Sequence, residues 1–211
     1  MPDDFEPKIE EKRPSSSPPH SSSEYGGKRH EALAFVWETI KVVVISLAII
    51  IPIRYFLVQP FFVKGASMEP TFQDGNYILI DEISYRFGPP QRGDIVVFRY
   101  PVDQTQFFIK RVIGLPGETV KIANDKVTIF NGANPNGFLL DETAYLPADQ
   151  LTDGTYNVKL DPNEYFVMGD NREHSSDSRF WGPVNVSLIT GRVFFRAYPV
   201  QEVGGFPKPG Y

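Results

Sequence analysis

From Val42 to Ile53 the chain reads VVVISLAIIIPI, with no charged or strongly polar side chain. That run alone is shorter than the ~20 residues needed to cross a bilayer. Counted outward from Lys41, whose stem can snorkel, through Arg54 to Val58, it becomes long enough. Pro52 would kink such a helix, which membrane helices tolerate because neighbouring groups re-satisfy the backbone. Two other readings remain open at this point. A cleaved signal fits the length of the run and the placement of Lys41, but no small-x-small cleavage site follows closely. A buried core helix fits the composition. The retained anchor, residues 33–58, is the reading carried forward. Lys28, Arg29 and Lys41 precede it, whereas Arg54 and Lys64 follow, which favours a cytoplasmic N-terminus and an extracytoplasmic remainder.

Ahead of the span, residues 1–32 read as a disordered tail. Its stretch PSSSPPHSSS, Pro14 to Ser23, is too polar and too repetitive to bury a core. The whole chain has 211 residues and is 41% hydrophobic, enough for one ordinary domain beside these segments. A formal net charge of -5 argues against a general nucleic-acid binder, which is normally basic. With no cysteine, disulfides, thiolate nucleophiles and cysteine zinc sites are excluded. Of three histidines, His20 and His30 lie in the tail, so a Ser–His–Asp mechanism could use only His174.

After Gln59-Pro60 the texture changes to short β-rich runs divided by turns. Expected strands are Tyr77–Asp81, Asp94–Tyr100, Phe107–Gly114, Thr119–Ile122, Lys126–Phe130, Tyr165–Met168 and Gly191–Tyr198. Leu115-Pro116-Gly117, Asn131-Gly132 and Asp153-Gly154 mark turns. Residues 59–211 are therefore expected to form a mostly β, antiparallel domain, with residues 131–162 as an inserted β/loop subdomain.

Three segments carry chemistry. In FFIKRVIG a strand would put Phe108, Lys110 and Val112 on one face, so an amine sits among apolar groups. Burial disfavours the ammonium and lowers its pKa; bringing it to about 8 would cost roughly 3 kcal/mol. Such a lysine is either a neutral base or one that snorkels or pairs at a strand edge. In KGASMEPTF the small Gly65 and Ala66 let the backbone bend, and Pro70 forbids a regular helix. Ser67 then sits on an exposed irregular turn, as a nucleophile or as an ordinary turn residue. GDNREHSSDSRFWG, Gly169 to Gly182, concentrates Asp170, Asn171, Arg172, Ser175, Asp177, Ser178 and Arg179 between two glycines. A loop of that density holds itself by side-chain hydrogen bonds and ion pairs.

In this order the segments resemble the boxes of bacterial type I signal peptidases (leader peptidases), membrane-bound serine endopeptidases with a Ser/Lys dyad. SMEPTF is similar to the nucleophile box and RGDIVVFRYP, Arg92 to Pro101, to the one that follows. IKRVIGLPGE resembles the box carrying the base, GDNREHSSDSRFWG the most distinctive box, and GRVFFRAYP the closing strand. The resemblance implies that Ser67 attacks the scissile carbonyl and Lys110 takes its proton. It implies that Ser175 hydrogen-bonds and orients Lys110, and that Asp177 and Arg179 form a structural ion pair. The Ser67 amide would be one oxyanion donor. Gly65 stands where many Gram-negative relatives carry a serine donor, so no second donor is assigned. Phe61, Val63, Met68, Phe72, Phe108 and Ile109 would line shallow pockets for Ala-x-Ala cleavage sites of exported preproteins. The implied partners are those preproteins and the lipid bilayer, with no nucleic acid, no cofactor and no metal.

Other readings weigh less. His174 sits among charged neighbours, a poorer environment for a base than that of Lys110. A metal site from His174, Asp170 and Asp177 has a spacing common in polar loops. A self-cleaving Ser/Lys regulator would need a DNA-binding module in place of the apolar span. A catalytically dead binding module would have no reason to retain Ser67, Lys110 and Ser175 together.

Overall fold

The structure, a computed structural model, describes residues 24–52, 58–206 and 209–210. Two compact units divide the chain near Ala48. The first is helix α1, Glu24–Pro52. Its apolar part, Leu33–Ile51, is 19 residues long and has no buried residue. At 1.5 Å per residue that covers about 28 Å, close to a hydrocarbon core. One exposed ion pair, Lys41 Nζ to Glu38 Oε1 at 2.8 Å, joins successive turns. The expected disordered tail falls outside the described residues up to residue 23; from Glu24 onward it is helical, so disorder does not reach residue 32. The end of the expected span, residues 53–57, also lies outside them.

The second unit is a pair of antiparallel sheets. The larger contains β1 (Val58–Phe62), β2 (Tyr77–Asp81), β3 (Ile95–Arg99) and β4 (Phe107–Gly114). The smaller contains β5 (Thr119–Ala123), β6 (Lys126–Phe130), β7 (Phe138–Leu139) and β8 (Tyr156–Lys159). The chain then returns to the larger sheet with β9 (Glu164–Met168), β10 (Val184–Asn185) and β11 (Ile189–Tyr198). Strand order is β1-β2-β11-β3-β4-β9-β10 in the seven-stranded sheet and β7-β6-β5-β8 in the four-stranded one. The expected strands all form. Residues 131–162 supply only β7 and β8 of the smaller sheet, whose first strand starts at Thr119. The inserted subdomain therefore begins earlier than expected, because β5 and β6 pair with each other and with β8 rather than with the larger sheet.

Alternation along β3 and β4 sorts the interior. Ile95, Val97 and Ile109 join Val63, Met68, Phe72, Ile78 and Ile80 in one apolar cluster. Val96, Phe98 and Val112, on the opposite face, join Tyr165, Val167 and Val184 in another. Side chains two residues apart point the same way, so one strand feeds both cores. A third cluster, around Ile113, Val120, Ile129 and Phe166, fastens the smaller sheet to the ends of β4 and β9. Each buried Ile, Val or Phe contributes about 1.5–3 kcal/mol of transfer free energy, so these clusters fix where β4 lies.

Candidate active site

Ser67 lies on the turn Ser67–Thr71 that follows β1. Gly65 opens that turn at φ +83°, a conformation side chains with a Cβ rarely adopt, and its amide donates to Asp74 Oδ1 at 2.7 Å. Met68 and Phe72 are wholly buried and pin the turn from beneath. They pack in the apolar cluster with Val63, Ile78 and Ile109.

Lys110 sits midway along β4, 3% exposed, opposite Val96. Its Nζ is 2.8 Å from Ser67 Oγ and donates to the Ile109 carbonyl at 2.8 Å. The Phe108 ring centroid lies 5.4 Å from the amine, and Val112 is fully buried along the same face. Burial pushes the amine down from 10.5 to about 8, against the pull of the nearby Asp177 and Asp170 carboxylates, which favour the charged form.

Loop Gly169–Gly182 wraps the dyad from a third direction. Gly169 is needed for its size. A Cβ there would lie 2.3 Å from the Ser67 carbonyl oxygen and 2.3 Å from Ser175 Oγ. Asn171 N donates to that same Ser67 carbonyl at 3.1 Å. Asp177 accepts the Arg179 guanidinium at 2.8 and 2.9 Å, and the Gly169 amide at 3.1 Å. Asp177 and Arg179 thus form a two-pronged buried ion pair that also closes the loop on itself. Ser175 is buried, but its hydroxyl has no hydrogen-bond partner among the described residues. The expected bond from Ser175 to Lys110 is therefore not made here; the amine's second bond goes to the Ile109 carbonyl instead.

Two residues beside the dyad escaped the sequence reading. Arg111 donates to Asp170 from Nε at 2.8 Å and from Nη2 at 2.6 Å, and Thr71 Oγ1 donates to the same carboxylate at 2.5 Å. One buried carboxylate therefore joins the turn of Ser67 to the strand of Lys110. Adjacency of Arg111 to Lys110 was visible, but nothing in the chain order linked either to Thr71.

An open cleft of about 510 Å³ runs past the dyad. Phe61, Val63, Phe108 and Ile109 line it, together with Phe62, Phe107, His174 and Ser176. Phe61 and Phe107 meet edge-on across it, centroids 5.4 Å apart. β9 pairs with β4 only from Arg111 onward, so among the described residues the β4 edge at Phe107–Lys110 has no strand partner on that side. Among the described residues no group of His, Cys, Asp and Glu could hold a metal ion.

Comparison with known proteins gives these features a context. The family model described as "Signal peptidase, peptidase S26" matches residues 36–198. The solved signal peptidase I of Enterococcus faecalis V583 aligns with 49% of this chain and 95% of its own, at 32% identity and a TM-score of 0.41. The probable signal peptidase I-1 of Synechocystis sp. is 36% identical over 178 residues, covering 81% of this chain and 86% of that protein. Signal peptidase I of Leptolyngbya laminosa is 37% identical over 183 residues, covering 82% and 86%. Signal peptidase IB of Staphylococcus aureus is 34% identical over 171 residues, covering 76% and 88%. By the family match and these relatives, the chain belongs to the signal peptidase family, peptidase S26.

Proposed function

We propose that this signal peptidase removes N-terminal signal peptides from exported preproteins with a Ser67/Lys110 dyad. The observation that carries the reading is the 2.8 Å contact between Ser67 Oγ and an amine that is almost fully buried. With the amine neutral, the hydroxyl donates to Nζ, and attack on the scissile carbonyl passes the proton to Lys110. The resulting ammonium then protonates the leaving amine, and water repeats the sequence on the acyl-enzyme. The Ser67 amide, engaged by no carbonyl among the described residues, supplies one donor to the oxyanion. Gly65 does not supply another from its amide, which is already held by Asp74.

Substrate binding follows from the open edge of β4. A preprotein segment in extended form can pair with Phe107–Lys110, its side chains alternating toward the cleft floor. That floor is made by Val63, Ile78, Val97 and Ile109, each at least nine-tenths buried. They offer shallow apolar surface, which suits small residues of the Ala-x-Ala type. Asp177 and Arg179 hold the loop, and Ser175 is positioned to steady the amine during turnover. Helix α1 serves as a retained single-pass anchor with a cytoplasmic N-terminus, and exposed Phe62 and Phe107 provide aromatic surface for the bilayer interface. Residues 1–32 are the cytoplasmic tail and residues 59–211 the extracytoplasmic catalytic domain.

Full-length protein in detergent, given a preprotein, tests this. Wild type should release the mature protein after a small residue, whereas Ser67→Ala, Lys110→Ala and Lys110→Arg should fall by at least roughly a thousandfold. Arginine fails because it stays protonated at working pH. Substantial cleavage by any of the three removes the dyad reading.

A further inference from the structure

The loop joining β7 to β8 belongs to the smaller sheet by sequence, yet its side chains end beside the dyad. Tyr145 is buried at 9% exposure, and its ring covers the Arg111 guanidinium with 3.9 Å from carbon to centroid. Its hydroxyl donates to Glu142 Oε1 at 2.7 Å. Glu142 receives the buried Arg172 guanidinium, Nη1 to Oε2 at 3.1 Å and Nη2 to Oε1. Arg172 also donates to Thr152 Oγ1 at 2.6 Å and, through Nε, to the Gly169 carbonyl at 3.1 Å. Residues 142–152 are thus fastened to Arg172 at both ends, through Glu142 and Thr152, and stacked on Arg111 through Tyr145 between them.

These fastenings touch neither Ser67 nor Lys110. Each is one residue away from a group that does matter to them. Arg111 follows Lys110 in β4, and its guanidinium, which donates to Asp170 and to the Gly93 carbonyl, is covered by the Tyr145 ring. Gly169, whose carbonyl Arg172 holds, packs against the Ser67 carbonyl. Asp170 itself takes the Thr71 hydroxyl of the nucleophile turn. A shift of Arg111 or of Gly169 would therefore alter the approach of hydroxyl to amine from both sides.

We propose that Tyr145 and Glu142 are positioning residues for the dyad, a clamp from the inserted subdomain that holds the Arg111–Asp170 pair and Gly169 in their catalytic places. The proposal rests on the dyad reading above. It also has an electrostatic consequence. The charged groups acting on Lys110 are Asp177 and Asp170 from the loop, and the turn presents the neutral Ser67; Arg111, on the opposite face of the strand, acts only through its ion pair with Asp170. Asp170 favours the ammonium, and Arg111 offsets that charge while the pair is intact. Loosening the clamp weakens the offset and admits water, and both changes favour protonated Lys110. Activity then requires a higher pH.

The test compares full-length wild type with Tyr145→Leu, Tyr145→Phe and Glu142→Gln, using one preprotein across a pH series, with Ser67→Ala alongside. Tyr145→Leu should lower kcat roughly 10- to 100-fold with KM within about twofold, and move the acid limb of the kcat profile to higher pH. Tyr145→Phe keeps the ring over Arg111 and should recover most of the loss. If Tyr145→Leu does not fold, Glu142→Gln carries the same comparison, with a smaller loss and the same direction of shift. An unmoved acid limb and an unchanged kcat in a folded variant overturn the clamp. So does a loss of melting temperature accompanied by an unmoved limb, the signature of a purely structural role. Activity in Ser67→Ala would instead sink the dyad, so the two failures are separable.

Discussion

Asp170 accepts the Thr71 hydroxyl at 2.5 Å and the Arg111 guanidinium at 2.6 and 2.8 Å, so one carboxylate spans segments 99 and 59 residues away along the chain. Thr71 shares the turn of Ser67, and Arg111 adjoins Lys110. Asp170 and Arg111 lie out of water and Thr71 is half-buried; there a charge-assisted hydrogen bond is stronger than a neutral one and an unpaired carboxylate would be expensive. This network therefore ties the turn of Ser67 to the strand of Lys110.

Lys110 makes activity and stability respond to pH in linked ways. Its folded pKa is lowered to about 8, so cleavage should rise as pH passes through that region and the neutral base accumulates. Below about 8 the amine is charged in both folded and unfolded chains, and folding must desolvate it. Between about 8 and 10.5 the unfolded chain holds more protons, so stability contributed by this group rises with pH. Lys110→Met should accordingly be inactive yet more stable at pH 7, by up to about 3 kcal/mol, with the difference vanishing above about pH 10.5. Denaturant melts at the two pH values check this, and a difference independent of pH would contradict it.

Gly169→Ala should damage catalysis out of proportion to its size. The added methyl would lie 2.3 Å from the Ser67 carbonyl, which belongs to the backbone and cannot rotate away. Overpacking of this kind costs about 1–3 kcal/mol of stability, and the displaced turn should lower kcat roughly 100-fold. Steady-state kinetics at a temperature where the variant remains folded would decide it; wild-type kcat would show that the loop yields in place of the turn.

Ser175→Ala separates function from stability in the opposite sense to most buried substitutions. The Ser175 hydroxyl is buried with no hydrogen-bond partner among the described residues, and burying an unsatisfied polar group costs about 1–3 kcal/mol. Removing it should leave the melting temperature unchanged or raised. If the hydroxyl steadies the amine during turnover, kcat should fall while KM stays near wild type. A folded variant with undiminished kcat would exclude that role.

Met68 and Ile109 should differ although both had been expected to touch substrate. Met68 is fully buried in the core, so Met68→Ala should cost about 2–5 kcal/mol and leave the choice of cleavage site intact. Ile109 presents an edge to the cleft, so Ile109→Ala should admit residues larger than alanine before the scissile bond. Product mass spectrometry on a set of altered preproteins reads both. Changed selectivity in Met68→Ala at an unaltered melting temperature would return that side chain to the cleft.

Local order in the chain carried a large part of this protein. Alternation along FFIKRVIG placed Lys110 between Phe108 and Val112 on one face, because side-chain direction in a strand depends only on spacing. The apolar stretch up to Pro52 was legible for a similar reason: its helix satisfies its own backbone and needs no partner strand. Tertiary structure alone decided which apolar neighbours of Ser67 are floor and which are foundation. It also decided that β5 and β6 leave the larger sheet, and that Tyr145 from the inserted subdomain covers Arg111. Those outcomes depend on contacts between residues distant in sequence, set by which apolar faces can be buried together and which buried charges can be jointly satisfied, and no local pattern records that.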